Sequence, residues 1–374
     1  MKIARAELTP IRLRLRTPLS TARGLTDVRE GALLALASES GLVGCGETLP
    51  LAGFSEESPG RALQTLSGLA RVLIGREIEE LEALLDMVEK LAPEAPTTRA
   101  AVDVALFDLA ARTQGIGVAE LLARPGQPRA QVEVNALVYA EQPEICAREA
   151  SAAVADGYRT VKLKVAALDL DLDEARIAAV REVVGSETRI RLDANGGWEE
   201  REAERAIARF APYRIEFLEQ PVDARSLGAL ARLTAGSPIP IAADEALAGG
   251  YAFDEIFSRD AARVLVLKPA VLGGLRASQR VAARARRVGW DVVVTSALDS
   301  AVGLGAALQL AAALPGPQLA AGLATGGLID WDLAPAPLPK GGALRVPSGP
   351  GLGVAPSPDC LARCALGMSE EITA

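Results

Sequence analysis

The sequence predicts an α/β protein, a barrel of parallel strands preceded by a smaller α+β unit. Three observations carry this. From residue 131 onward, eight short apolar runs alternate with Ala/Arg/Glu-rich helical segments, the pattern of parallel strands joined by helical crossovers. Ionisable residues fall at the C-terminal ends of several of those runs at nearly constant intervals. Residues 1 to about 125 have another texture, and a length of 374 residues suits one barrel plus an accessory unit.

The first unit opens with two strand-like runs, "IARAELTPIRLRL" (3–15) and "EGALLALASESGLVGCGE" (30–47), separated by turn and loop residues in "RTPLSTARGLTDVR" (16–29). Helical spacing of apolar residues follows in "REIEELEALLDMVEKLA" (76–92) and "TTRAAVDVALFDLAART" (97–113). The unit ends near the Pro/Gly-rich "ARPGQPR" (123–129). The eight strand candidates are "QVEVNALVYA", "TVKLKV", "RIRLDAN", "IEFLEQP", "PIAADEA", "VLVLKPA", "DVVVTSAL" and "LAAGLAT". An open doubly wound sheet is the structural alternative, but no G-x-G-x-x-G follows the first strand and no phosphate-loop pattern occurs. "GPGLGV" (349–354) lies outside any βαβ unit and reads as turns, in a tail that leaves the barrel.

Composition removes whole classes of function. A net charge of −8 without a basic run argues against nucleic acid or an acidic membrane as partner. No apolar run reaches the roughly 18 residues of a membrane span, and the N-terminal stretch lacks a signal-peptide core, so the cytoplasm is the expected compartment. Cys45, Cys146, Cys360 and Cys364 are too scattered for a disulfide scaffold, and the last two, four residues apart, read as packing residues. The chain contains no histidine. Ser-His-Asp and Cys-His catalysis, histidine bases and most catalytic zinc sites are thereby excluded. Acid–base chemistry must rest on Lys, Asp, Glu, Tyr or Cys, and any metal would be a hard cation held by oxygen.

The charged strand ends supply both. After Lys164 come Asp193, Glu219, Asp244 and Lys268, at intervals of 29, 26, 25 and 24 residues. Surface charge has no cause to keep time with the βα repeat, whereas the C-terminal rim of a barrel is where its active site lies. Three converging carboxylates need a compensating cation, and Mg²⁺ suits carboxylate oxygen, with Mn²⁺ as an alternative. "TVKLKV" puts Lys162 and Lys164 on one face of the preceding strand, while Lys268 stands on the strand after the carboxylates. Neighbouring amines and a divalent ion can lower a lysine pKa, so that a neutral amine takes an α-proton from a carboxylate substrate.

These motifs resemble the enolase superfamily, in its muconate-lactonising branch, over nearly the whole chain. K-x-K is met by "KLK", the ligand motifs by "DAN", "EQP" and the "DE" of "AADEA", and the second lysine by "LKP". The resemblance implies that Asp193, Glu219 and Asp244 bind Mg²⁺, with Asn195 and Glu245 near the metal shell. It implies Lys164 as principal base, Lys162 as its assistant and Lys268 on the opposite side of the substrate. It also implies a (β/α)7β-type TIM barrel over 126–335, an α+β capping domain over 1–125, and a C-terminal segment, 336–374, that packs back on the cap. Within the branch, "GCGETLPLAGFSEES" (44–58), "TSALDSAVGLGAALQLAAAL" (295–314) and "AGLATGGLIDWDL" (321–333) look like the o-succinylbenzoate synthases. The implied reaction is Mg²⁺-dependent syn loss of water from a succinyl-hydroxycyclohexadiene carboxylate through an enediolate, for menaquinone synthesis.

The rival on the same residues is 1,1-proton transfer, as in N-succinylamino acid racemases and dipeptide epimerases, with Lys164 and Lys268 each serving one face. "LKPAVLGG" has Ala270 and Val271 where the racemising branch often has Gly-Arg, and "GLATG" stands where the epimerases carry D-x-D, with Asp330 and Asp332 a little further on. Asp299 occupies a position where relatives often have Glu and carries no implied role. Muconate cycloisomerisation and a non-catalytic ligand-binding barrel are further alternatives. Thr21, Arg23 and Gly24 lie in "PLSTARGLTDVR" (18–29), a loop that could close over the rim. By resemblance, Ser296 and the backbone around Gly322 would meet the succinyl carboxylate. The expected partner is a small-molecule carboxylate; the sequence leaves a homo-oligomer open.

Overall fold

The computed structural model describes residues 1–21, 24–248 and 252–373. The N-terminal unit is built on β1 (Ile3–Thr21), β2 (Gly24–Ser38) and β3 (Val43–Thr48), antiparallel in that order. "IRLRLR" shows why β1 is a strand: Ile11, Leu13 and Leu15 are buried while the arginines between them are exposed. The helices α1 (Pro59–Leu73), α2 (Leu81–Leu91), α3 (Pro96–Thr113) and α4 (Val118–Ala123) follow. The alanine-rich α3 is buried on nearly every side and crosses close behind β3. Gly44 and Gly46 permit the approach, since a Cβ on Gly46 would stand 1.9 Å from the Ala101 carbonyl oxygen.

The second unit alternates strand and helix. It begins with β4 (Gln131–Glu133), β5 (Ala136–Val138), α5 (Pro143–Ala155), β6 (Thr160–Lys164), α6 (Leu170–Val184), β7 (Arg189–Asp193) and α7 (Glu200–Phe210). There follow β8 (Ile215–Glu219), α8 (Leu227–Gly236), β9 (Ile241–Ala243), α9 (Ala252–Ser258), β10 (Val264–Leu267), α10 (Pro269–Leu272), α11 (Leu275–Arg287), β11 (Asp291–Val294) and α12 (Ala301–Ala313). Strands β5 to β11 form one parallel sheet in sequence order, and the sheet curls. Ala321 bridges to Val134 at one edge and Gly322 to Thr295 at the other, so two residues link its ends. The chain closes with β12 (Ile329–Trp331), β13 (Ala343–Arg345), α13 (Pro358–Cys364) and β14 (Glu370–Thr373). Both β12 and β14 pair antiparallel with β1. Among the described residues no helix is long and apolar enough to cross a membrane.

The structure corrects three sequence expectations. The stretch 16–29 is not simply a loop, because β1 and β2 run into it. Their register shifts between Arg14 and Leu19, where Pro18 cannot donate to the ladder, and pairing then resumes at Leu19–Thr26. "QVEVNALVYA" is two strands rather than one. Its first half turns away to pair with β13 while Ala136–Val138 joins the parallel sheet. "LAAGLAT" forms only the two bridges, and a side chain on Gly322 would meet Thr295 Cγ2 at 2.6 Å.

Candidate active site

Lys164, Asp193 and Glu219 are the last residues of β6, β7 and β8, and Asp244 and Lys268 directly follow β9 and β10. In a parallel sheet these ends share one rim, so the regular spacing in sequence becomes convergence in space. Residues from the rim and the N-terminal unit line a cleft of about 280 Å³. Its polar floor is Lys162, Lys164, Asp193, Asn195, Glu219, Asp244, Glu245 and Lys268, and the expected Ser296 and Gly322 stand in its wall. Arg23 and the Thr21 side chain lie outside the described residues.

The two lysines of β6 share a face but differ in surroundings. Lys162 Nζ donates to both Glu219 carboxylate oxygens at 2.8 Å and lies 2.8 Å from Asp193 Oδ2. Lys164 Nζ donates to Asp193 Oδ2 at 2.6 Å and Asn195 Oδ1 at 2.7 Å. The Lys162 side chain is 12% exposed and that of Lys164 27%. Lys268, across the rim, donates to Asp244 Oδ1. Asn195 is held by its own N–H on Asp193 Oδ1 and by its amide on Glu245 Oε1, both 3.0 Å. Glu219 is followed by the buried Gln220, whose side-chain oxygen accepts from the Asp244 and Ala246 N–H groups at 3.1 Å and sets the turn that presents Asp244.

Charge at this floor is unbalanced. Burial raises the Asp193 carboxyl, but the Lys162 and Lys164 ammonium groups outweigh it and hold Asp193 below the usual carboxylate range. Burial, then the neighbouring Asp193, push Glu219 up to about 8. Asp244 is also raised, chiefly by burial. Burial opposes the Lys162 charge, yet Asp193, Glu219 and Asp244 keep that amine above its ordinary value. The lowering expected of a basic lysine is thus not met at Lys162, whose ammonium is held by the carboxylates around it. Among the described residues no three acidic or thiol groups are drawn together as a ready metal cage; ammonium groups lie against the carboxylates. The donor chemistry still fits a hard divalent cation: three buried carboxylates on adjacent strands, two of them raised by burial and by their like-charged neighbours.

Several lining residues carry no signal in the sequence. Tyr139 directly follows β5, and Phe54 comes from the N-terminal unit. Tyr139 is itself exposed at the mouth of the cleft. Ser296 Oγ lies 2.8 Å from Thr325 Oγ1, making a hydroxyl pair in the wall. Asp299 does not line the cleft. It lies beneath it, its carboxyl raised by burial, beside Glu47 of β3. Asp330 pairs with Arg16, and Asp332 accepts the Ala301 N–H at the start of α12.

Residues 4–123 match the mandelate racemase/muconate lactonizing enzyme N-terminal domain, and residues 146–360 the enolase C-terminal domain-like family. The chain is 32% identical to an L-Ala-D/L-Glu epimerase of Bacillus subtilis, over 83% of this chain and 85% of the relative. It is 42% identical to an o-succinylbenzoate synthase of Mycobacterium ulcerans, over 59% of this chain and 66% of that one. The crystal structure of an N-succinyl Arg/Lys racemase from Bacillus cereus superposes with a TM-score of 0.91 at 27% identity, covering both chains fully. A dipeptide epimerase from Enterococcus faecalis, complexed with Mg and the dipeptide L-Leu-L-Tyr, superposes at 0.85 with 26% identity, over 95% of this chain and 100% of that one. With both family domains in place around one charged rim, the chain belongs to the enolase superfamily, in the branch of mandelate racemase and muconate lactonizing enzyme.

Proposed function

We propose that the chain is an o-succinylbenzoate synthase, a lyase that removes water from a hydroxycyclohexadiene carboxylate bearing a succinyl group. One observation carries the choice. Of the two lysines that face each other across the rim, Lys164 is the more open to the cleft, while Lys268 is enclosed and bound to Asp244. That asymmetry suits elimination with one moving base better than proton transfer with two.

Lys164 Nζ takes the proton α to the carboxylate. The C–H electron pair moves into the carboxylate to give an enediolate; as it returns, the ring double bond forms and the C–O bond breaks, and the same Nζ gives its proton to the departing hydroxyl, yielding water and an aromatic ring. Lys162, fixed between Asp193 and Glu219, orients both carboxylates and adds positive charge behind Lys164. Lys268 faces the developing negative charge as a stationary cation. Asp193, Glu219 and Asp244, with Asn195 and Glu245 beside them, would hold Mg²⁺, which would stabilise charge on the substrate carboxylate as a Lewis acid. Ser296 and the Gly322 backbone, in the wall of the cleft, would meet the succinyl end. We read residues 126–335 as a (β/α)7β barrel, 1–125 as its cap and 336–374 as a segment completing the cap.

A spectrophotometric assay for o-succinylbenzoate formation with added Mg²⁺ tests the reading. Turnover lost in Lys164→Ala and with chelator supports it; an inactive intact protein refutes it. The second reading, 1,1-proton transfer on N-succinylamino acids or dipeptides, draws on Lys268 standing four strands from Lys164. It predicts exchange of the α-proton into D₂O.

A further inference from the structure

Lys268 is held from two sides by two parts of the chain. Its Nζ donates to Asp244 Oδ1 on the rim and lies 4.4 Å from the centroid of the Phe54 ring. Phe54 belongs to the N-terminal unit, in the segment that follows β3. Lys268 and Phe54 are both buried, so water does not compete for the ammonium face that the ring covers. An ammonium over an aromatic face is attracted most strongly when desolvated.

The segment carrying Phe54 is anchored at both ends. On one side, Arg29 of β2 donates through Nη2 to the Leu49 carbonyl at 2.5 Å and through Nη1 to the Pro50 carbonyl at 2.9 Å. On the other, the buried Glu57 carboxylate accepts the Thr97 N–H at 2.8 Å, the Thr98 N–H at 3.2 Å and the Thr98 hydroxyl at 2.5 Å, at the start of α3. Between the anchors, the Phe54 and Ser55 N–H groups both donate to the Leu51 carbonyl, at 3.0 and 2.9 Å. The ring is therefore positioned by the scaffold before any substrate arrives.

We propose that Phe54 is a positioning residue that fixes the Lys268 ammonium for catalysis, a step that rests on the reading of Lys268 as a stationary cation. Asp244 and the ring occupy two directions around Nζ, and the remaining N–H is left for the substrate in the cleft. A lysine has four rotatable side-chain bonds and loses its aim without such restraint. The cap thus contributes to the rate through Lys268 as well as closing one wall of the cleft.

Two readouts on the Mg²⁺-loaded full chain test this. The chain has six lysines, so ¹³C-labelling at the lysine ε-carbon gives a small set of signals, with Lys268 assigned by its loss in Lys268→Met. The Lys268 ε-protons are expected upfield through the ring current, and to return toward the other lysines in Phe54→Leu. An unshifted signal in the wild type overturns the proposal whatever the reaction is. In kinetics, Phe54→Leu is expected to lower kcat about tenfold or more with KM within about threefold, while Phe54→Tyr, which keeps the ring, restores kcat. A loss confined to KM, or equal in the Leu and Tyr variants, shows a wall and overturns the positioning role. Should the wild type fail to dehydrate, the dehydratase reading falls, and the same kcat comparison is made on α-proton exchange with N-succinylamino acids. Should Phe54→Leu not fold, Phe54→Met takes its place.

Discussion

Glu47→Gln is expected to change how stability depends on pH. Glu47 lies on β3 and accepts the Ser300 N–H at 2.9 Å and the Ser300 hydroxyl, so it joins the N-terminal unit to the first turn of α12. Asp299 stands beside it: a Cβ placed on Gly303 would be 2.5 Å from Glu47 Oε1 and 3.2 Å from Asp299 Cγ. Burial, then Asp299, raise the Glu47 carboxyl from an ordinary 4.5 to about 8. Between those two values the folded chain keeps a proton that the unfolded chain has released. Folding is therefore favoured at the acid end, and the stability falls as pH rises from about 5 through 8. At about 1.4 kcal/mol per pH unit the ceiling is about 5 kcal/mol, and relaxation of the surroundings, with an effective dielectric near 20, brings the expectation to roughly 2 kcal/mol. Glutamine keeps an acceptor for the Ser300 N–H and does not ionise. Urea unfolding of both chains in EDTA, at intervals from pH 5 to 9, should show the variant gaining on the wild type as pH rises. Burial raises Asp103 to about 7, and Glu219 titrates near 8, but both are present in each chain and cancel in the difference. A gap that stays constant within about 0.3 kcal/mol across that range would show that Glu47 is ionised in the folded state and refute the reasoning.

At the rim, Lys162→Ala removes the ammonium between Asp193 and Glu219 and should cost about 3 kcal/mol without metal; added Mg²⁺ should return most of it, read as the melting temperature with and without the ion. Lys164→Ala should lower kcat by at least about a thousandfold while moving the melting temperature little, since its side chain is the more exposed of the pair. Gly46→Ala should cost about 3 kcal/mol or abolish folding, because the new Cβ meets a backbone oxygen that cannot move aside. Gly60→Ala, in α1 with nothing within 4 Å of its Cβ, should be neutral or stabilising by up to about 1 kcal/mol, measured by urea unfolding.

What could be read from the sequence is what repeats along it. Asp193, Glu219, Asp244 and Lys268 were visible because each closes an apolar run, and parallel topology brings such ends together whatever the details of packing. Phe54 and Glu47 were not, because their partners, Lys268 and Ser300, lie far away in the chain and no local period marks them. Glu47 meets Ser300 over a separation of 253 residues. "QVEVNALVYA" misled for a related reason: alternation reports that residues can form a strand, while the partner, β13 or the parallel sheet, decides where it breaks. The 16–29 stretch misled because its Thr, Pro, Ser and Gly read as turn, although pairing between β1 and β2 extends into it.

The lysine pair shows how far one strand's alternation can determine chemistry. Residues two apart share a face but differ in depth, and here depth divides the labour. Lys162 lies lower, between two carboxylates that keep it charged, and to take up a substrate proton it would first have to lose one against that field. Lys164 stands two residues, about 6.6 Å, further along the strand and nearer the solvent, with one carboxylate and one neutral amide as partners. Its contacts are the ones a substrate can replace. Elimination and 1,1-proton transfer both begin with removal of an α-proton, so Lys164 would serve either, and it is the enclosure of Lys268 against Asp244 that favours elimination. Choice among substrates would draw in addition on groups off the floor: the ring over Lys268, and the Ser296–Thr325 hydroxyl pair in the wall. These sit on the N-terminal unit and on the segments after β11, where chain can vary without disturbing the strand ends that hold the charges.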